Sequence, residues 1–212
     1  MALAATHIKF ALDVKGKYHV QDMGRYLIGT IYPDSRYITG IKRELTHGDY
    51  LLSSQFASDD FKKGWSVHFV CDKVFNKITD KDFSEFLISG APANFGTDWW
   101  INKTAIKILL DIEILKKIDI KQYLPMLNLV ENPNGESIED MRYSNSLTQK
   151  LYIKEKVTIE DIGIMFLKLG IKKELIKGVV RKSTEYSTMP DFSIRINNLY
   201  ESMLALAAKI NL

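Results

Sequence analysis

The sequence is poor in the residues that interrupt helices. Its 212 residues include only five prolines and twelve glycines, and strict alternation of apolar and polar residues is rare. Apolar residues instead recur three, four and seven positions apart, which is the period of an amphipathic α-helix. We therefore predict an all-α protein that folds as one domain over residues 1–212.

Three further absences narrow the class of protein. A single cysteine, Cys71, cannot form an internal disulfide, and we interpret it as a buried structural thiol. The net charge of +3 is too small to indicate nucleic acid as a stable partner. No run of 18 apolar residues is present, so we expect no transmembrane segment. The first residues also lack the pattern of a targeting signal, and the expected location is the cytoplasm.

The apolar spacing and the capping residues predict the order of helices and loops. Helices are expected at about 5–15, 21–31, 59–78, 98–117 and 120–130, after Ser137, after Thr158, and at 192–210. Loops are expected at 32–52, 89–97 and 182–191, and the turn-rich segment 131–136 is a break. The last helix is amphipathic, so it packs in the core of the monomer or, as the alternative, in a homodimer contact.

Only four histidines are present, and His68 is the one with an aspartate four positions after it in a predicted helix. His68 and Asp72 are four residues apart, so a helix places both side chains on one face. Phe61, Trp65 and Phe69 share that face, which indicates that the pair is buried. A buried aspartate is costly unless it is hydrogen-bonded, paired or bound to a metal. A hydrogen-bonded core pair and a metal site both meet this requirement.

The order of the other candidate ligands favours a metal site. His7, Asp34 and His47 precede the His68-x-x-x-Asp72 pair, with the text LIGTIYPD ending at Asp34 and GW shortly before His68. This order resembles that of the zinc-dependent phospholipase C family, over about residues 5–78. The resemblance implies an all-α fold that binds metal ions between helices. It also implies hydrolysis of phosphoesters by a metal-activated hydroxide.

The resemblance implies two metal positions at most, because no histidine follows His68. One position would use His47, His68 and Asp72, and the other would use His7, Asp34 and a shared Asp72. Asp34 would also orient or deprotonate the attacking water. Zinc suits imidazole and carboxylate ligands best, and iron and manganese are the alternatives.

The segment after Asp34 is basic, which bears on the substrate. Arg36, Lys42 and Arg43 lie between two candidate ligands, and an arginine there is able to bind a phosphate through two hydrogen bonds. We therefore predict a small phosphoester as the substrate. The alternative is that these three residues belong to an ordinary solvated loop.

Other residues carry weaker signals. His19 has no suitable carboxylate at helical spacing, so we interpret it as a surface histidine. Asp111 lies in an apolar run and is expected to be a paired or exposed acid, with a metal ligand as the alternative. Trp99 and Trp100 are expected to pack in the core, with a substrate entrance or a partner surface as the alternative.

Two other functions fit the same residues. An HD-type metal phosphohydrolase is also all-α and uses histidine and aspartate, but its adjacent His-Asp pair is absent, because Gly48 separates His47 from Asp49. A non-enzymatic helical interaction protein would keep the His/Asp set as a structural or vestigial metal site. The content of bound metal and the turnover of phosphoesters separate these hypotheses.

Overall fold

A computed structural model describes residues 3–53, 56–87 and 96–210 of the chain. Over these ranges the chain forms ten α-helices and no strand, so the predicted all-α class is confirmed. The helices are α1 (Ala4–Val14), α2 (Met23–Ile31), α3 (Arg36–Thr39), α4 (Arg43–Thr46), α5 (Asp60–Asp82), α6 (Thr97–Leu115), α7 (Ile138–Tyr152), α8 (Ile159–Lys168), α9 (Lys173–Ser187) and α10 (Pro190–Ala207). Short 3-10 segments cover Lys15–Tyr18, Tyr32–Ser35, Asp49–Leu52 and Ile120–Asn128.

Three of the predicted segments differ from the structure. The expected loop at 182–191 is wrong, because α9 continues through buried Ser183 and Tyr186, and α10 begins at Pro190, a residue favoured in the first helical turn. The expected loop at 32–52 is instead a series of short helical turns. The helix expected at 120–130 is of the 3-10 type, and Pro125 within it cannot donate a backbone hydrogen bond. The loop expected at 89–97 lies, up to residue 95, outside the described residues.

Helix α5 forms the centre of the fold. It contacts α1, α2 and α10, while α6 packs against α1, α9 and α10 on another side. Buried residues face nearly every direction along the middle of α5, among them Val67, His68 and Val70. The thiol of Cys71 is fully buried, as predicted. Among the helices of the described ranges, none has both the length and the apolar character that crossing a membrane requires.

Helices α2 and α5 approach so closely that both need glycine where they cross. A Cβ atom on Gly29 would lie 1.9 Å from the carbonyl oxygen of Phe61. A Cβ atom on Gly64 would lie 1.9 Å from the carbonyl oxygen of Tyr26. Both obstacles are backbone atoms, which cannot rotate away as a flexible side chain would. The crossing therefore fixes where the C-terminal end of α2 lies against α5.

A buried carboxylate holds the first turn of α1. Asp111 on α6 accepts hydrogen bonds from the backbone N–H and the hydroxyl of Thr6, at 2.7 and 2.9 Å, and from the hydroxyl of Tyr152 at 2.6 Å. Unpaired N–H groups at a helix start need such an acceptor. Asp111 is therefore a paired structural acid, which was the favoured of its two interpretations. Burial raises the pKa of Asp111 to about 6, although these hydrogen bonds oppose the shift.

We expect Gly64→Ala to destabilise the protein strongly. The added methyl group would push α2 away from α5, and overpacking of this kind costs about 2–3 kcal/mol or more. Urea unfolding followed by circular dichroism measures the loss. Gly16→Ala is the matched control, because a Cβ atom there meets nothing within 4 Å. Equal free energies of unfolding for the two variants would show that the crossing is not tightly packed.

The raised pKa of Asp111 predicts how stability depends on pH. Because the folded-state pKa of about 6 exceeds the ordinary 3.8, the stability contributed by this group is complete below pH 3.8 and is lost as the pH rises through about 6. The free energy of unfolding of the wild type, minus that of Asp111→Asn, should fall by about 2–3 kcal/mol between pH 4 and pH 7. Urea titrations in the presence of EDTA measure this difference. A difference that does not change with pH would mean that Asp111 titrates normally.

Candidate metal centre

The structure brings the five predicted ligands into one cluster between the helices. His7 belongs to α1, Asp34 to the 3-10 segment that follows α2, and His47 to the residue that ends α4. His68 and Asp72 lie one turn apart on α5. All three imidazoles and the carboxylate of Asp72 are almost completely buried. The cluster therefore joins four segments that are distant in sequence.

His47, His68 and Asp72 form one triad of ligand atoms. The Nε2 atoms of the two histidines are 3.3 Å apart, and Oδ2 of Asp72 lies 3.6 Å from that of His47 and 3.8 Å from that of His68. Two atoms that bind one zinc ion at about 2.1 Å in tetrahedral geometry lie about 3.4 Å apart. Hydrogen bonds are shorter, at about 2.7–3.2 Å. The spacing of the triad thus fits metal ligands better than a hydrogen-bonded core pair.

The hydrogen bond of His68 leaves its Nε2 atom without hydrogen. Nδ1 of His68 lies 2.8 Å from the carbonyl oxygen of Thr30 and donates to it, because a carbonyl can only accept. In the neutral ring, Nε2 of His68 then carries a lone pair, which is the form that binds a metal. Nε2 of His47 lies 3.3 Å from it, and Nδ1 of His47 lies 2.8 Å from the hydroxyl of Thr46, a group that both donates and accepts.

His7 and Asp34 both lie beside His68. Nε2 of His7 lies 3.6 Å from Oδ1 of Asp72, whereas His47 and His68 face Oδ2. The ring of His7 stacks on that of His68, with centroids 3.8 Å apart, and Oδ1 of Asp34 lies 4.0 Å from Nε2 of His68. Two sets of three ligand atoms lie within 4.8 Å of one another, so either set could hold an ion: His7, His68 and Asp72, and Asp34, His47 and His68.

Several polar atoms of the cluster lack the hydrogen bonds that buried groups normally make. Both ring nitrogens of His7 and Oδ1 of Asp34 are buried, and no group in the described part of the chain makes a hydrogen bond to them. More than about 90% of buried polar atoms in proteins are satisfied. A divalent cation would supply the missing partner for His7 and for Asp34. The residues present therefore fit a metal ion.

The electrostatics of the cluster also suit a cation. Burial lowers the pKa of His7 to about 3 and lowers those of His47 and His68 below their usual range, so all three imidazoles are neutral, the form that ligates metals. Burial and the charge of Asp72 raise the pKa of Asp34 to about 7. Burial acts on Asp72 in the same direction, yet the pKa of Asp72 lies well below the usual range, so its carboxylate keeps its charge. The cluster thus retains negative charge in a buried place.

The turn that carries Asp34 is held by residues 131–136, which were predicted only as a turn-rich break between helices. The hydroxyl of Tyr32, two residues before Asp34, donates to the carboxylate of Glu136. The side-chain amide of Asn134 donates in turn to the oxygen of Tyr32 at 2.5 Å, and its backbone N–H donates to Glu136 at 2.9 Å. Segment 131–136 therefore packs back onto the turn that carries Asp34.

Two cavities reach the cluster. His7 and Asp34 line a small cavity of about 40 Å³, which has room for water. His47 lines a larger cleft of about 400 Å³, bounded by α3, which begins at Arg36, and by the face of α6 that carries Trp99. Leu3 and Phe166 line both cavities, so the two cavities adjoin.

The predicted substrate residues differ in their placement. Arg36 and Arg43 line the larger cleft, whereas Lys42 is exposed and lies outside its lining. Trp99 and Trp100 both pack against the edge of the core, as expected, and they also line the cleft. His19 is exposed at the surface and lies away from the cluster.

Sequence reasoning missed the two lysines of the cleft. Lys103 and Lys107 on α6 line it together with Trp99, and these three residues are four positions apart along the helix. The spacing was visible in the sequence. Only the packing of α6 shows which of its faces borders the cleft.

No family model, curated protein or solved structure matches this chain. The resemblance to the zinc-dependent phospholipase C family therefore stays a prediction, and function must be argued from the site itself.

Proposed function

We propose that the protein is a metal-dependent hydrolase that cleaves phosphoesters. The observation that supports this is the convergence of three neutral imidazoles and two carboxylates at the spacing of metal ligands, beside a cleft with basic walls. Imidazole and carboxylate suit zinc best, and iron and manganese are the alternatives. When bound, the ions would lower the pKa of a coordinated water to about 7 and polarise the phosphoryl oxygens.

The five side chains divide between two positions. By the resemblance, His47, His68 and Asp72 would hold the first ion, and His7, Asp34 and a shared Asp72 would hold the second, whereas the sets that lie within 4.8 Å are His7, His68 and Asp72, and Asp34, His47 and His68. His68 serves one ion only, because its Nδ1 is committed to the carbonyl of a neighbouring helix. Three protein ligands at each position leave room for water or substrate, which is typical of catalytic rather than structural zinc sites.

Asp34 is the carboxylate suited to orient the attacking water. Its side chain is 24% exposed, whereas that of Asp72 is only 4% exposed. Solvent therefore reaches Asp34, while Asp72 is enclosed by imidazoles. We assign to Asp34 the positioning of water and to Asp72 the role of shared ligand.

Arg36 is held ready to bind a phosphate oxygen. Its Nη2 donates to the hydroxyl of Tyr37 at 2.8 Å, and the guanidinium lies 4.3 Å from the centre of the Tyr37 ring. Its Nε is buried, and no acceptor in the described ranges pairs with it. The side chain therefore loses little further freedom when an anion binds. Arg43 lies in the same cleft and adds a second cation.

We expect Asp72→Asn to release most of the bound metal. The amide is a poor ligand and removes the charge that both positions share. Elemental analysis after removal of loosely bound ions should find one or two ions per wild-type chain and well under half of that in the variant. His19→Ala is the control, because it removes an exposed histidine outside the cluster. Full occupancy in Asp72→Asn would contradict the assignment of Asp72 as a shared ligand.

The hydrolase proposal predicts metal-dependent turnover of simple phosphoesters. Bis(p-nitrophenyl) phosphate and p-nitrophenyl phosphate report diester and monoester cleavage. His68→Ala should lower kcat/KM by at least about 100-fold, and chelation followed by zinc addition should abolish and then restore the wild-type rate. His19→Ala should keep the wild-type value. A protein that binds metal but turns over neither ester would have a structural metal site and would not be this hydrolase.

A further inference from the structure

The cleft beside the cluster has more positive charge than one phosphate group requires. Arg36 and Arg43 come from segments that carry predicted ligands, whereas Lys103 and Lys107 come from α6 on another wall. The described lining contains one carboxylate, Asp80. Positively charged side chains from two separate parts of the chain therefore line the same cleft.

Most of this charge is not neutralised within the described part of the protein. Asp80 lies 2.5 Å from Nζ of Lys103, whose side chain is 3% exposed. No acid within the described ranges forms an ion pair with Lys107, Arg36 or Arg43. Four cations and one carboxylate leave three positive charges in a cavity of about 400 Å³. Such a cavity attracts anions and repels cations.

Two of the four aromatic residues that line the cleft already contact a cation of the protein. The ammonium of Lys103 lies 4.6 Å from the centre of a Trp99 ring, and the guanidinium of Arg36 lies 4.3 Å from the centre of the Tyr37 ring. A quaternary ammonium group would therefore meet positive charge at these two aromatic side chains. The single carboxylate that could attract such a group is paired with Lys103.

We propose that this cleft selects a phosphoester whose remaining part carries a second negative charge, and that it rejects one whose remaining part is cationic. The inference rests on the proposed function, because it assumes that one phosphate lies at the His/Asp cluster. Arg36 and Arg43 would bind that phosphate, since each is close in sequence to a ligand. Lys107 on α6 would then bind the second anion, whereas the charge of Lys103 is already paired with Asp80.

Calorimetric titration of the zinc-loaded protein tests the inference without turnover. Glucose 6-phosphate, glucose 1,6-bisphosphate and phosphocholine each carry a phosphomonoester, and their remaining parts are neutral, anionic and cationic. We expect the bisphosphate to bind about tenfold more tightly than glucose 6-phosphate, which is the gain from one added charge-assisted contact. Phosphocholine should bind several-fold more weakly than glucose 6-phosphate.

Two variants identify the residues responsible. Lys107→Gln should remove most of the tenfold advantage of the bisphosphate and leave the affinity for glucose 6-phosphate within about twofold. Lys107 is half-buried and forms no ion pair with any residue that the structure describes, so this variant is expected to fold. Lys117→Gln, which removes an exposed cation just beyond the end of α6, should change neither affinity.

Equal affinities for the three probes, no detectable binding of the bisphosphate, or an advantage that survives in Lys107→Gln would each overturn the inference. The outcome is distinct from that of the hydrolase proposal. Turnover of p-nitrophenyl esters together with equal affinities would refute the inference alone. A clear preference for the bisphosphate without any turnover would refute the proposed function alone.

Discussion

The close crossing of α2 and α5 is the constraint on which the candidate site depends. Gly29 and Gly64 let the two backbones touch. Thr30 follows Gly29 directly, and its carbonyl accepts the hydrogen bond from Nδ1 of His68, one turn beyond Gly64. The contact between the helices thus sets the orientation and the tautomer of a predicted ligand. The packing of α2 against α5 in the core therefore also determines how the imidazole of His68 is presented in the site.

The cluster combines groups that would be unfavourable together without a cation. Its imidazoles are kept neutral by burial, the Nε2 atoms of His47 and His68 lie only 3.3 Å apart, and the carboxylate of Asp72 is enclosed by the three rings. Favourable contacts in other parts of the chain must therefore offset the cost of bringing these groups together. The hydrogen bonds at Asp111 and the contacts of segment 131–136 supply part of it, since they fix the helix of His7 and the turn of Asp34.

The sequence predicted local features better than distant ones. The His68-x-x-x-Asp72 pair could be placed on a buried helix face because helical spacing determines it. Nothing in the spacing of His7, Asp34 or His47 shows that they meet these residues, and only the resemblance brought them together. The same limit explains the errors. The stretch 182–191 is polar enough to be predicted as a loop, and its helical character depends on two side chains buried against other helices.

The hydrogen bonds of Asp111 have a consequence for how the chain is built. Every predicted ligand lies within the first 72 residues, yet the groups that hold α1 in place are supplied much later, by α6 and α7. A fragment that ends after α5 would contain the complete ligand set but not the acceptor that fixes Thr6 beside His7. The first third of the sequence therefore contains all of the predicted ligands, but later helices are needed to hold those ligands in position. During synthesis, all five predicted ligands would be present before the residues that fix the position of α1 had been added.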